Sequence, residues 1–146
     1  MLLLLFGLLR MMADAGHFPE PSLLAIFAAE AHAHLRQVEA DLAALGHGRD
    51  GAALGAVLDT LHTLAGAARS VDLAELEWLC RALERVFAAA RDTGAAPGQQ
   101  GAVAAALALA PQLTGQPAGR IRNQALALCG QLDALAAQLA QPLSTP

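Results

Sequence analysis

The chain has 146 residues, 55% of them apolar and only 3% aromatic, with a net charge of −4. That length allows one domain with a real core, and the acidic balance argues against nucleic acid, which needs a basic face to release counterions. All nine basic residues are Arg; the two cysteines, Cys80 and Cys129, are too few for a disulfide framework and match no zinc-site spacing, so a reducing cytoplasm is the default. β-Branched residues are scarce, and Ala and Leu, the strongest helix formers, dominate the apolar content. The expected fold is all-α.

The first residues, MLLLLFGLLRMM, form an apolar run broken by Arg10. The run is too short to span a bilayer. It lacks the basic start of a secretory signal, although Ala13-Asp14-Ala15 resembles a small-residue cleavage site. An extra packing helix, an upstream start codon, a membrane-surface anchor and a cleaved signal all stay open. Residues 1–16 are therefore set apart from a domain over 17–146.

Gly16 to Pro21 breaks the chain, and Ser22 is placed to cap a long helix. Leu24, Phe27, Ala31, Leu35, Val38, Leu42 and Leu45 step by three or four and form its apolar stripe. Gly46, Gly48 and Gly51 end it. A second helix is predicted over about Ala52 to Val71, with the stripe Leu54, Val57, Leu58, Leu61, Ala65, Ala68 and Val71. Asp72 reads as the N-cap of a third, with Glu75 completing a capping box. Leu76, Leu79, Cys80, Leu83, Val86, Phe87 and Ala90 form the third stripe, which Thr93-Gly94 closes.

A fourth segment, about Gln99 to Ala110, is nearly all Ala, Val and Leu, and Pro111 ends or kinks it. After a polar gap over Thr114 to Gly119, a last helix over about Arg120 to Ala140 carries the heptad Ile121, Ala125, Leu128, Leu132, Leu135, Leu139. Short loops between consecutive amphipathic helices predict an antiparallel up-and-down bundle of about five helices.

His62 stands out in the stretch TLHTLAGAARS. At about 100° per residue it lies on the flank of its helix's stripe, at the edge of the core and open to water. Small residues surround it: Ala65 and Gly66 one turn on, Gly55 two turns back. Glycine inside a helix costs about 1 kcal/mol relative to Ala, so Gly66 suggests close approach by another protein or a tight helix crossing. By position alone a flank histidine is an ordinary surface residue.

Glu84 lies on the flank of the third stripe. His62 is ten residues before Asp72 and Glu84 twelve after it, so an antiparallel pair joined there puts both at similar depth. A carboxylate accepting from imidazole Nδ1–H would leave Nε2 as the free nucleophile. Equally, Glu84 pairs with Arg81 or Arg85 on a solvated face.

The segment HTLAGAARSVDLAELEWLCRALERVF resembles the histidine-phosphotransfer (HPt) domain of bacterial phosphorelays, especially the N-terminal module of CheA-type chemotaxis kinases. Those show a His-Ser/Thr-Leu-Lys-Gly-Ala/Ser pattern followed by a helix with Leu-Glu. IFAAEAHAHLRQVEADLAAL, with Phe27, Glu30 and Leu35, is similar to their first helix. The likeness covers about Ser22 to Arg91. It implies a four-helix bundle core, His62 as phosphoacceptor, Gly66 keeping the surface open, and Glu84 orienting the imidazole. The family's Lys three residues after the histidine is Ala65 here. Arg69, seven residues from His62 on the same flank, is the candidate substitute cation, and restoring a lysine at position 65 is expected to speed phosphotransfer.

The other polar residues carry less. His32 and His34 point about 200° apart on a helix and cannot chelate one metal together; His17 and His47 fall in loops. No metal or cofactor is expected. Cys80 and Cys129 read as buried thiols, and Trp78 as a residue opposite its core stripe, covered by the N-terminal segment or a partner.

The resemblance implies a phosphocarrier more than an enzyme, with no ATP-binding motif of its own. A histidine kinase or receiver domain would load His62, and a receiver aspartate would unload it, the receiver supplying the metal. A degenerate bundle that docks a kinase or receiver without carrying phosphate is the main rival. A membrane-associated helical protein is the third reading.

Overall fold

The computed structural model describes Gly7 and residues 20–45, 51–94, 101–115 and 119–141. Apart from Gly7, the apolar run over 1–16 lies outside the described residues, as do His17, His47 and Gln99. Five α-helices are described: α1 (Glu20–Leu45), α2 (Gly51–Ser70), α3 (Ala74–Thr93), α4 (Gly101–Leu109) and α5 (Gly119–Ala140), with a 3-10 turn at Ala110–Leu113. No strand occurs among the described residues. The chain is the all-α up-and-down bundle its periodicity predicts.

Helix α1 starts at Glu20, two residues before the predicted cap Ser22, and buries Leu23, Phe27, Ala31, Leu35 and Val38. Leu24 is only half-buried, so the stripe begins one residue earlier than its spacing suggested. Helix α2 adds Leu64 and Ala67 to its predicted buried face because α1 and α3 cover it from two sides. Ala65, Ala67 and Ala68 are fully buried, and their small side chains let the neighbouring backbones approach closely.

Helix α3 is central. It packs against α2 and against α5, and buries Leu76, Leu79, Cys80, Ala82, Leu83, Val86, Phe87 and Ala90. Gly94, in the left-handed region at φ 75°, ends it by donating its N–H to the Ala90 carbonyl at 2.8 Å. Arg122 Nε donates to Glu75 Oε1 at 2.7 Å, and Arg85 Nη2 lies 2.8 Å from Asp133 Oδ1. Ten residues along α3 thus match eleven along α5. The two helices run in the same direction, as alternate members of an up-and-down bundle do.

The turn between α2 and α3 corrects the reading of Asp72. Asp72 does not cap α3; its φ is 60°, in the left-handed region. The Leu73 N–H donates to the Ala68 carbonyl at 3.0 Å and the Asp72 N–H to the Arg69 carbonyl at 3.2 Å. These are the two bonds of a Schellman motif, with Asp72 in the place usually held by glycine. Leu73 then occupies the N-cap of α3 without a side-chain cap bond, its carbonyl accepting from the Glu77 N–H at 3.1 Å. Glu75 completes no capping box because its carboxylate is committed to Arg122.

Pro111 offers no N–H, and the chain tightens there from α4 into the 3-10 turn. His32 of α1 meets that turn: Nε2 lies 3.3 Å from the Pro111 carbonyl and 3.2 Å from Thr114 Oγ1. Among the described residues no helix is long and apolar enough to cross a membrane.

Candidate functional site

The Schellman turn sets the register of α2 against α3. Helices leaving it advance about 1.5 Å per residue, so His62 and Glu84 differ in depth by about 3 Å. Long side chains close that gap. His62 Nδ1 lies 3.4 Å from Glu84 Oε2. The His62 side chain is 71% exposed and that of Glu84 only 21%. The ring thus projects from the bundle while the carboxylate lies low against α3.

A third group completes the cluster. Arg81 Nη1 lies 3.1 Å from His62 Nδ1 and donates to Glu84 Oε1 at 3.1 Å, and Arg81 Nε lies 4.0 Å from Glu77 Oε2. The two readings of Glu84, imidazole partner or arginine partner, therefore hold together in one network. Nε2 of His62 has no hydrogen-bond partner among the described residues. The ring nitrogen left accessible to an incoming group is Nε2.

Around this cluster runs an open groove of about 480 Å³. Asp59 and His62 line it from α2; Arg81, Glu84, Arg85 and Arg91 line it from α3, with Leu58 and Ala88 between them. Arg85 is held by Asp133, and Arg91 Nε lies 3.9 Å from Asp92 Oδ1. The groove lining carries three guanidinium groups and two carboxylates, with Arg85 and Arg91 already paired to Asp133 and Asp92 beyond it.

The remaining predicted residues fall around this groove. Gly66 is half-buried one turn beyond His62, and its carbonyl accepts from Ser70 Oγ at 3.1 Å. Gly55, nearer the start of α2, has open space where a side chain would project. Arg69 is exposed in the last turn of α2, and its guanidinium makes no ion pair or hydrogen bond among the described residues. Ala65 has no exposed surface and faces the core.

Arg81 and Asp59 escaped the sequence reading as site residues. The sequence offers Arg81, three residues before Glu84, only as a rival partner for Glu84; its reach to His62 Nδ1 has no signal in the spacing. Asp59 is likewise three residues before His62.

Cys80 is buried in α3, and burial, with a smaller contribution from the Glu84 charge, pushes its thiol up from 9.0 to about 12. Burial also raises Cys129, with Asp133 adding to the effect. Both are protonated, unreactive thiols at neutral pH. Trp78 is 46% exposed on α3. No three of the described His, Cys, Asp and Glu residues come together as a metal site.

A family model for the Hpt domain matches residues 22–142. The match is to the family as a whole and does not single out the chemotaxis-kinase module. No curated protein and no solved structure matches the chain.

Proposed function

The chain belongs to the Hpt domain family, whose members serve phosphotransfer through a histidine in two-component systems, and on that premise we propose that it carries a phosphoryl group on His62 Nε2. The observation that supports this reading is the asymmetry of one exposed ring: Nδ1 lies against Glu84 and Arg81, and Nε2 has no hydrogen-bond partner among the described residues. In loading, the Nε2 lone pair forms a bond to phosphorus as the acyl oxygen–phosphorus bond of a receiver phosphoaspartate breaks. Those electrons return to the aspartate carboxylate. The reacting tautomer carries its proton on Nδ1, turned to Glu84; once the N–P bond has formed that proton passes to solvent, which neutralises the ring. Unloading reverses each step.

Glu84 orients the imidazole and Gly66 leaves room for the partner's approach. Arg69 supplies a distant positive charge. Residues 17–146 form the carrier domain, with 1–16 as a separate segment. The partners are a receiver domain and a histidine kinase, which places the exchange in the cytoplasm. The domain is a carrier more than an enzyme, since the receiver brings the metal and most of the electrostatic stabilisation.

Ala65 favours a second reading, a docking module that binds a receiver or kinase without carrying phosphate. One experiment separates the two. The full chain and His62→Gln are incubated with a phosphorylated receiver domain, and acid-labile phosphate on each is scored. Label on the wild type and none on His62→Gln supports the carrier. A receiver that binds while the wild type stays unlabelled leaves only docking.

A further inference from the structure

We propose that Arg81 is a positioning residue that competes with Glu84 for Nδ1 of His62 and holds the imidazole in the tautomer whose Nε2 carries the proton. Its consequence for phosphotransfer rests on the carrier reading; the tautomer itself does not. A guanidinium has N–H donors and no lone pair to offer. With Arg81 Nη1 at 3.1 Å, Nδ1 is therefore the acceptor, and a neutral ring then has its proton on Nε2. Glu84 demands the reverse: a carboxylate only accepts, so its approach requires a proton on Nδ1. One nitrogen cannot satisfy both at once.

The distances decide between them. The Arg81 contact lies within the usual hydrogen-bond range of about 2.7–3.2 Å, and the Glu84 contact at 3.4 Å lies outside it. Arg81 is also anchored, through Glu84 Oε1 at 3.1 Å and Glu77 Oε2 at 4.0 Å. It stays beside the ring whichever group holds Nδ1.

An imidazole with its proton on Nε2 has no lone pair there to attack phosphorus. Loading therefore requires Arg81 to release Nδ1 and Glu84 to take its place. After loading, Nε2 is bonded to phosphorus and the Nδ1 proton has left, so Nδ1 is again an acceptor for Arg81. Loss of the phosphoryl group to water breaks the N–P bond and returns its electrons to Nε2. That step is easiest when Nδ1 is protonated and neutral imidazole is the leaving group. Arg81 on Nδ1 opposes that protonation. One guanidinium thus slows loading and slows leakage.

The test uses the ¹⁵N-labelled full chain and the variants Arg81→Gln and Arg81→Ala, each checked by circular dichroism for unchanged helicity. Long-range ¹H–¹⁵N spectra of His62, recorded at alkaline pH, report which nitrogen carries the proton. The wild type is expected to show protonated Nε2, and both variants protonated Nδ1. A wild type already protonated on Nδ1, or variants that keep the wild-type tautomer, overturns the proposal. Phosphoramidate then serves as a donor that needs no receiver, with His62→Gln as the background. Both variants are expected to load about threefold to tenfold faster, and to lose phosphate to water faster, than the wild type. Equal or slower loading overturns the proposal. If neither the wild type nor the variants load, the carrier reading fails and the tautomer spectra alone decide the role of Arg81.

Discussion

The Leu73 amide donates to the Ala68 carbonyl at 3.0 Å, and that bond fixes the register that brings His62 to Glu84 across 22 residues of chain. Its geometry needs Asp72 at φ 60°, which aspartate tolerates and β-branched residues resist. Asp72→Gly is expected to match or exceed wild-type stability by up to about 1 kcal/mol, because glycine meets no steric penalty there. Asp72→Val is expected to lose about 1–2 kcal/mol. Urea unfolding followed by circular dichroism measures both, and a Val variant as stable as the wild type would show that the turn is not the constraint.

That turn also marks where the sequence could be read and where it could not. The stripes of α1, α2 and α3 were legible because burial repeats with the helical period. Similar distances from Asp72, ten residues and twelve, bring His62 and Glu84 to neighbouring depths. Asp72 itself was misread because aspartate favours both N-caps and left-handed turns, and only the backbone angle separates the two. Arg81 was passed over because its partners lie on two helices; the sequence shows the spacing to Glu84 but not the reach to Nδ1. Glu75 looked like half of a capping box because its partner Arg122 stands 47 residues away.

On the carrier reading, Glu84→Gln is expected to slow loading of His62 about tenfold, the low end for losing a charged hydrogen-bond partner at an exposed ring. The loss has two sources, the missing negative charge on the acceptor for Nδ1–H and an Arg81 no longer held by a carboxylate. The two residues therefore couple. In an Arg81→Gln background the same Glu84→Gln change should cost distinctly less, and a double-mutant cycle on loading rates measures the difference. Strict additivity would mean that the two side chains do not meet at Nδ1.

Cys80 predicts an alkaline limit to stability. Its folded thiol is pushed up to about 12, against 9.0 when free. Above pH 9 the unfolded chain sheds this proton while the folded chain keeps it, so the unfolded state binds fewer protons and stability falls as pH rises. The contribution is whole below pH 9 and is lost progressively towards pH 12. Urea midpoints taken from pH 8 to pH 11 should decline less steeply for Cys80→Ala than for the wild type. Parallel slopes would mean that the thiol is not shielded. A thiol reagent should likewise leave Cys80 unmodified in the folded chain at neutral pH.

Arg69 is a distant cation at best. Seven residues of helix place it about 10 Å from His62 along α2. A unit charge at that range in water contributes about 0.4 kcal/mol, and salt screens it further. Arg69→Ala is expected to slow loading about twofold at low ionic strength and hardly at all in physiological salt. An effect of tenfold that survives salt would show the side chain reaching the phosphoryl group directly.

Ala65 and Asp59 reverse the expectation about restoring a lysine. Ala65 has no exposed surface, so Ala65→Lys forces four methylenes and an ammonium against a packed core. The cost is about 3 kcal/mol or more, and the new charge has no direct path to the groove. The variant is expected to melt earlier and to load no faster. Asp59 is the better position: it is exposed and lines the groove beside His62. At i,i+3 spacing its charge stands about 6 Å from the imidazole, where a unit charge in water is worth about 0.7 kcal/mol. Asp59→Asn removes one repulsion from the incoming phosphoryl group and is expected to speed loading about threefold. Asp59→Lys turns repulsion into attraction and is expected to speed it about tenfold, more at low salt than at high. Loading rates with phosphoramidate, measured beside thermal melts for all three variants, test both halves. A stable, fast Ala65→Lys with an inert Asp59→Lys would place the side of His62 that meets the phosphoryl group on the opposite flank of α2.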